Sequence, residues 1–378
     1  MRVAVTRPLV ALGHRPAASS RPHAAPVRTL RAAPQPAPRR TVLRRPQLVR
    51  ADSAAASRGI GAAPPPATSE SLAQLPKAVG DAVLYSLVGC VVLLPVSLVR
   101  HPLAWLAFGS AVGWYGWKTR ALSLDGAVAG SLVGAVTLSS GYPFAVALLA
   151  FYVSCSKLTS FGAARKVAVE GEYKKGGERN ATQVFANAGL PTALAFAHSD
   201  LVARGAPVQA TAAVAAAAVA YYACCCGDTW SSEIGVLSSQ QPVLITTGKP
   251  VSAGTNGGVT LLGVGASAAG GAFIGLVVAV AAAVSGWGVG AGGLSSRTVV
   301  LVALLAGLLG SLLDSVLGAT VQYSGIDDAT GKMYNKPSAV LPGGRKLRQV
   351  AGHDWVSNSA VNFATATLSA VMALVWIA

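Results

Sequence analysis

The sequence predicts an all-α protein: a polytopic transmembrane helical bundle of about nine apolar spans, some re-entrant, behind a disordered N-terminal extension. Three observations predict it. Only 12% of the 378 residues are charged and 52% are hydrophobic, whereas a soluble domain carries roughly 25% charged residues. Apolar runs recur along the chain at lengths near the roughly 20 residues of a perpendicular bilayer span. Basic residues sort by side once the crossings are numbered, as the positive-inside rule requires.

The elements follow in chain order. Residues 1–60 hold 12 arginines and one acid, Asp52, and are rich in Ala, Pro and Ser. This basic, hydroxylated, acid-poor composition is that of an organelle transit peptide, and it lacks the continuous apolar stretch of a secretory signal. The Ala/Arg/Pro richness points to a plastid (envelope or thylakoid), with a mitochondrial membrane as the alternative. A basic tail that binds acidic lipid or nucleic acid is the other reading of the segment. Residues 61–78 are a Pro/Ala/Ser linker. The multi-pass membrane domain, 79–378, carries apolar runs at about 79–99, 102–117, 122–139, 142–156, 183–197, 206–226, 259–284, 298–320 and 358–377. Those at 102–117, 142–156 and 183–197 are short for a full crossing. Small residues recur within the spans, as in Gly126 to Gly130 and Gly263 to Gly271, and they let helices approach closely in lipid.

Counted by side, 15 of the basic residues in 61–378 face the N-terminal side, and three, Arg100, Arg204 and Arg297, face the other. The basic side also receives the long polar loops 157–182, 227–258 and 321–357. It receives the ends of the spans that carry Asp125, Asp228, Asp314, Asn358 and Asn362 as well. The polar chemistry therefore converges on one face. The cysteines do not add to it. Cys224, Cys225 and Cys226 are consecutive, so on a helix they diverge by about 100° per residue, and they read as small apolar fillers.

Asp228, followed by Thr229, Ser231, Ser232 and Glu233, puts carboxylates and hydroxyls at a span end. That set suits Mg²⁺, which takes one or two carboxylates and completes its shell with water and phosphate oxygens; a helix N-cap is the structural alternative. Asp314 lies well inside span 298–320 between Ser311 and Ser315. A carboxylate at that depth must face a partner, a metal or water. Asp125 opens its span, either as a third metal ligand or as a cap. Gly254-Thr255-Asn256-Gly257-Gly258 precedes another span, where exposed backbone N–H groups favour an anion, and Lys249 lies five residues upstream; an ordinary turn is the alternative. Loop 157–182, with Lys157, Arg179 and Asn180, either lies on anionic lipid or positions an anionic substrate. Asn358 and Asn362 complete the candidate substrate wall. No Walker loop, HExxH or GxSxG is present.

The segments GDTWSSEIGVLSS, LITTGKPVSAGTNGGVTLLG, GSLLDSVLGATVQYSG, NSAVNF and EYKKGGERNATQVFANAG together resemble the transmembrane protein 19 family, from about residue 100 to the C-terminus. The family's plant members include a phytyl-phosphate kinase and a glucose-responsive regulator. At Gly227 and Asn256-Gly257 this chain looks closer to the animal-type branch than to that kinase.

The resemblance implies an isoprenyl-phosphate kinase that uses Mg²⁺ and CTP or ATP at the membrane surface. In that reading Asp228, Glu233 and Asp314 are catalytic. A transporter or a sugar-responsive regulatory membrane protein is the alternative. The partners expected are the bilayer and an isoprenoid phosphate, with no nucleic acid.

Overall fold

The computed structural model describes residues 101–171, 177–286 and 293–378. The expected transit peptide, the linker and the apolar run 79–99 lie outside the described residues, as does Cys90. Eight helices of 17 to 28 residues are present among the described residues: α1 Pro102–Lys118, α2 Leu124–Ser140, α3 Tyr142–Ser160, α5 Ala181–Ala203, α6 Val208–Gly235, α7 Leu261–Ser285, α8 Ser296–Val321 and α9 Asn358–Ile377. A short helix, α4 Ala163–Val169, lies between α3 and α5. Five helices, α3 and α6 to α9, are long and apolar enough to cross a membrane, and α2 is a shorter apolar helix. Five of the nine expected apolar spans thus have the length and composition of a crossing among the described residues. Among those described, α1 is too short, and α5 is long enough but is diluted by Asn187, Pro191, His198 and Asp200.

The bundle is built around α6, whose alanine-rich stretch from Thr211 to Ala223 is almost wholly buried. Methyl-sized side chains let α3, α5, α7, α8 and α9 all pack against it. The outward faces carry large apolar residues such as Leu132, Leu276, Leu368 and Met372, the arrangement that lipid solvates. Some polar groups inside pair across helices: the Thr137 and Thr192 hydroxyls meet at 2.8 Å between α2 and α5.

A close glycine crossing joins α6, α7 and α8. A Cβ on Gly227 would lie 2.7 Å from Gly307 Cα and from Ser267 O, and one on Gly271 would lie 2.4 Å from Ala303 O. The sequence reading ended a span at residue 226 and began a loop at Gly227. The helix instead continues to Gly235. Gly227 is used there for packing, not for stopping, and the turns beyond it are anchored by Trp230, stacked on Phe273 with centroids 5.4 Å apart. Thr229 satisfies its hydroxyl on Cys225 O, one turn back at 2.8 Å, as hydroxyls inside helices do.

The polar loops are also folded, which corrects the all-α expectation. Strands β1 Val243–Leu244 and β2 Gly258–Val259 pair antiparallel. A three-stranded antiparallel sheet has the order β4-β3-β5, from β3 Ser324–Asp327, β4 Lys332–Tyr334 and β5 Arg348–Ala351. Asp327 closes the β3–β4 turn: its buried carboxylate accepts from Thr330 Oγ1 at 2.8 Å and from Arg345 at 2.8 Å. Burial alone would raise its pKa, but these partners hold it below the usual carboxylate range. The loops interlock. Gly171 N donates to Met333 O at 2.8 Å, and Arg165 donates to Val236 O at 2.7 Å and to Ser238 O at 2.9 Å.

The glycine crossing is testable. Gly271→Val should be destabilising by about 1–3 kcal/mol or more, the cost of overpacking. Gly265→Val, on the same helix with nothing within 4 Å of its added Cβ, should leave the melting temperature of the detergent-purified protein within a degree or two of wild type.

Candidate functional site

At the end of the bundle where these loops meet lies a polar cavity of about 360 Å³. Asp228 enters it from α6, near the end of the helix. Asp314 enters from α8, and the two are linked through that helix: Ser311, one turn before Asp314, donates its hydroxyl to Asp228 Oδ1 at 3.1 Å. Asp314 Oδ2 and Asn362 Oδ1, both in this cavity, are buried and have no hydrogen-bond partner. Buried polar atoms are almost always paired, so two acceptor oxygens left open beside a second carboxylate form a donor set for a hard cation. Among the described residues no group of three or more His, Cys, Asp or Glu gathers as a metal cluster. An ion here would therefore use two carboxylates and an amide oxygen and take its remaining ligands from water or phosphate, the habit of Mg²⁺.

Glu233 also lines the cavity, but its carboxylate is already engaged. Oε2 is ion-paired with Lys166, which is buried on α4, and Oε1 accepts from Thr159 at 2.6 Å. Lys166 Nζ further donates to Leu158 O at 2.8 Å and Thr159 O at 3.1 Å. Glu233 thus ties α4 and α3 to α6, which leaves Asp228, Asp314 and Asn362 as the residues that could hold a cation.

The glycine turn forms the opposite wall, and it is pinned rather than open. Thr255 N donates to Ser252 O, Gly258 N to Thr255 O, and Asn256 N to Ser324 Oγ. Asn256 Nδ2 donates to Tyr323 O at 2.9 Å. Gly257 has a φ of 77°, and a Cβ there would lie 2.4 Å from Ala319 Cβ. The turn is held hard against α8, next to Ser315, with most of its N–H groups already donated, so it shapes the cavity more than it cradles an anion.

The remaining expected residues separate. Asn358, Asn362 and Arg179 line the cavity. Asp125 does not: it accepts from Ser123 Oγ at 2.5 Å and from Ala181 N at 2.9 Å, capping α5 from the start of α2. Asn180 is the reciprocal N-cap of α5 with Gln183. Lys157 borders a separate small cavity with Tyr152 and Ser156. Lys249 is exposed in the turn between β1 and β2 and is not among the cavity residues. Arg345 and Arg348 are paired with Asp327 and Asp328. Four basic residues of the loops, Arg165, Lys166, Arg345 and Arg348, are thus engaged in stitching the cap together, and Arg179 is the one basic residue on the cavity wall among the described residues.

Gln183, Asn187, Gln322 and Asn335 line the cavity without having been anticipated. Gln183 and Asn187 carried a signal, since two amides four residues apart share one face of an otherwise apolar helix. Phe151, Arg179, Gln183 and Asn187 also border a narrow apolar crevice of about 50 Å³, walled by Leu122, Val133 and Leu148 between α2, α3 and α5. The polar cavity and the apolar crevice meet at these four side chains.

The family described as Integral membrane protein DUF92 matches residues 107–370. The chain belongs to that family. It is a multi-pass integral membrane protein, and the resemblance to the transmembrane protein 19 type is borne out. It is 36% identical over 269 residues to "Protein PGR" of Arabidopsis thaliana, covering 70% of this chain and 91% of that one. An uncharacterized membrane protein of Methanocaldococcus jannaschii is 30% identical over 55% of this chain and 78% of its own. One of Synechocystis is 32% identical over 52% of this chain and 68% of its own. No solved structure matches.

Two outcomes follow from the cavity's electrostatics. Lys166→Met should lower stability by about 3–5 kcal/mol, the cost of leaving a buried charge unpaired, and adding Glu233→Gln should recover part of it in chemical unfolding. Glu170, on the cavity wall, has its pKa raised by burial and by the neighbouring Glu233 charge, against the pull of Lys166. A raised carboxylate destabilises the fold once it ionises, so the penalty is present above the folded pKa and absent below the unfolded one, about 4.3. Glu170→Gln should therefore raise the melting temperature at pH 7 and leave it unchanged at pH 4.

Proposed function

We propose that this protein transfers the γ-phosphoryl group of a nucleoside triphosphate, CTP or ATP, to an isoprenyl monophosphate at the membrane surface. The observation that carries the reading is the junction of the two cavities. A polar site with open carboxylate and amide oxygens shares four side chains with an apolar crevice between helices. An amphiphile with an anionic head and a hydrocarbon tail matches that pairing. The crevice takes the tail segment nearest the phosphate, and the rest of the tail lies against lipid.

Arg179, at the junction, faces the acceptor's phosphate, and Gln183 and Asn187 supply further hydrogen bonds to it. Asp228, Asp314 and Asn362 would hold Mg²⁺, which neutralises the β- and γ-phosphate oxygens when bound. An oxygen of the lipid phosphate then forms a bond to the γ-phosphorus as the bond to the β–γ bridging oxygen breaks, leaving a lipid diphosphate and a nucleoside diphosphate. Phosphoryl transfer needs positioning and charge neutralisation more than covalent chemistry by the protein. The pinned turn at Gly257 serves the first, and the carboxylate pair, by holding the cation, would serve the second. The 12 arginines and single acid of residues 1–60 support a plastid membrane as the site of this reaction, as does the relative from a plant.

The test is direct. Purified protein in lipid nanodiscs is given phytyl or geranylgeranyl phosphate, Mg²⁺ and γ-labelled CTP or ATP. Label should appear in the lipid diphosphate, and Asp228→Asn and Asp314→Asn should each lower the rate about 10²–10³-fold, the usual cost of removing one transition-state electrostatic contact. No labelled lipid from folded wild-type protein refutes the reading. Nucleotide-independent ion flux in proteoliposomes that is lost in Asp314→Asn would establish transport in its place.

A further inference from the structure

A second cavity, of about 260 Å³, adjoins the first. Asn256, Gln322, Asn335 and Asn358 border both, so a wall of four amide side chains separates them. The second cavity's own walls differ in kind from the carboxylate site. Tyr323 and Trp355 supply aromatic surface, and Lys336 and Asp354 supply one charge of each sign.

The wall is firmly seated. Trp355 N donates to Val321 O at 3.2 Å, Val356 N donates to the same oxygen at 3.2 Å, and His353 N donates to Thr320 O at 3.1 Å. These bonds clamp residues 353–356 to the last turn of α8, the helix that carries Asp314. Gln322 Nε2 reaches Asn358 Oδ1 at 3.4 Å, and Asn256 is fixed on β3 by its two bonds. The Trp355 ring stacks on His353 with centroids 4.8 Å apart and planes 14° from parallel, yet the residue is 73% exposed. A large indole so placed beside a cavity is a platform on which a flat ring stacks. Side-chain amides match the donors and acceptors on the edge of a nucleobase, and a carboxylate such as Asp354 can accept from ribose hydroxyls.

We propose that the second cavity is the nucleoside subsite. It takes the base and ribose of a nucleoside triphosphate whose phosphates extend past the amide wall to the Asp228–Asp314 cavity. The inference rests on the phosphoryl-transfer reading, because only a ligand with an aromatic end and a polyphosphate end needs both cavities. An aromatic residue just before a membrane helix also serves as an interfacial anchor, and that role predicts no effect on nucleotide affinity.

The experiment measures binding of Mg·CTP, Mg·ATP and Mg·tripolyphosphate to the full chain in nanodiscs by calorimetry. Tripolyphosphate reports on the phosphate end alone. Wild type should bind at least one nucleotide more tightly than tripolyphosphate. Trp355→Ala should weaken that nucleotide about tenfold, the loss of one base–aromatic stack, and should leave tripolyphosphate affinity unchanged. Trp355→Phe should retain most of the nucleotide affinity. Melting temperatures of the variants establish that they are folded. Nucleotide affinity that survives Trp355→Ala, or an equal loss for tripolyphosphate, overturns the subsite and leaves the phosphoryl-transfer reading standing. If wild type binds neither nucleotide nor tripolyphosphate, both fall together.

Discussion

The contact on which the rest depends is backbone against backbone, where α6, α7 and α8 cross at Gly227, Gly271 and Gly307. In lipid no hydrophobic effect draws helices together, so close packing and hydrogen bonds must hold them. Removing three side chains at one crossing supplies the first. It also determines where the chemistry falls. Asp228 directly follows Gly227, and Ser311 follows Gly307 by one turn. Bringing the glycines together therefore brings the Ser311 hydroxyl to the Asp228 carboxylate and directs Asp314 into the same space. Two carboxylates that would be costly in hydrocarbon are placed inside protein by the packing that the glycines allow.

The cap has the same logic with opposite materials. Loops at a bundle end would leave backbone groups unpaired, so they fold into short strands and turns held by buried ion pairs. Lys166 with Glu233 joins α4 to α6, Asp327 with Arg345 closes the small sheet, and Arg165 binds two carbonyls after α6. Among the described basic residues on this side, Arg165, Lys166, Arg345 and Arg348 are therefore structural. Their enrichment reports topology and says little about ligand charge.

Much of the site was legible because charged and amide side chains in apolar runs are rare enough to stand out. Asp228, Asp314, Asn358 and Asn362 were visible for that reason, and they meet in one cavity. What sequence could not resolve was the use of ambiguous residues. A glycine stops a helix or lets another approach, and at Gly227 only tertiary packing decides, so α6 runs about nine residues further than its hydropathy indicates. An Asn-Gly-Gly turn is an anion nest or a pinned wall according to where its N–H groups point, and the partner that decides, Ser324 Oγ, is 68 residues from Asn256. Glu233 looks like a catalytic acid until Lys166 is found beside it. The three-stranded sheet was missed because its strands are three or four residues long and show no alternating pattern, the period-2 signal by which strands are read.

The charge inventory of the cavity constrains what it can hold. Glu170, Asp228, Glu233 and Asp314 face Arg179, and of the four acids Glu233 is neutralised by Lys166. A bare phosphate there would meet more negative than positive charge. At an effective dielectric of about 20, each like-charge pair at 4 Å costs about 4 kcal/mol. A divalent cation reverses that sign, but the donor set on the wall is too small to complete its shell. A cation offsets the acids' repulsion of a phosphate, and the phosphate can supply ligands to the cation, so each should raise the affinity for the other, as linkage requires. In the proposed phosphoryl-transfer reading a metal–nucleotide complex would satisfy both needs at once, and Arg179, which lines both the polar cavity and the apolar crevice, would be left for the phosphate of the isoprenyl acceptor.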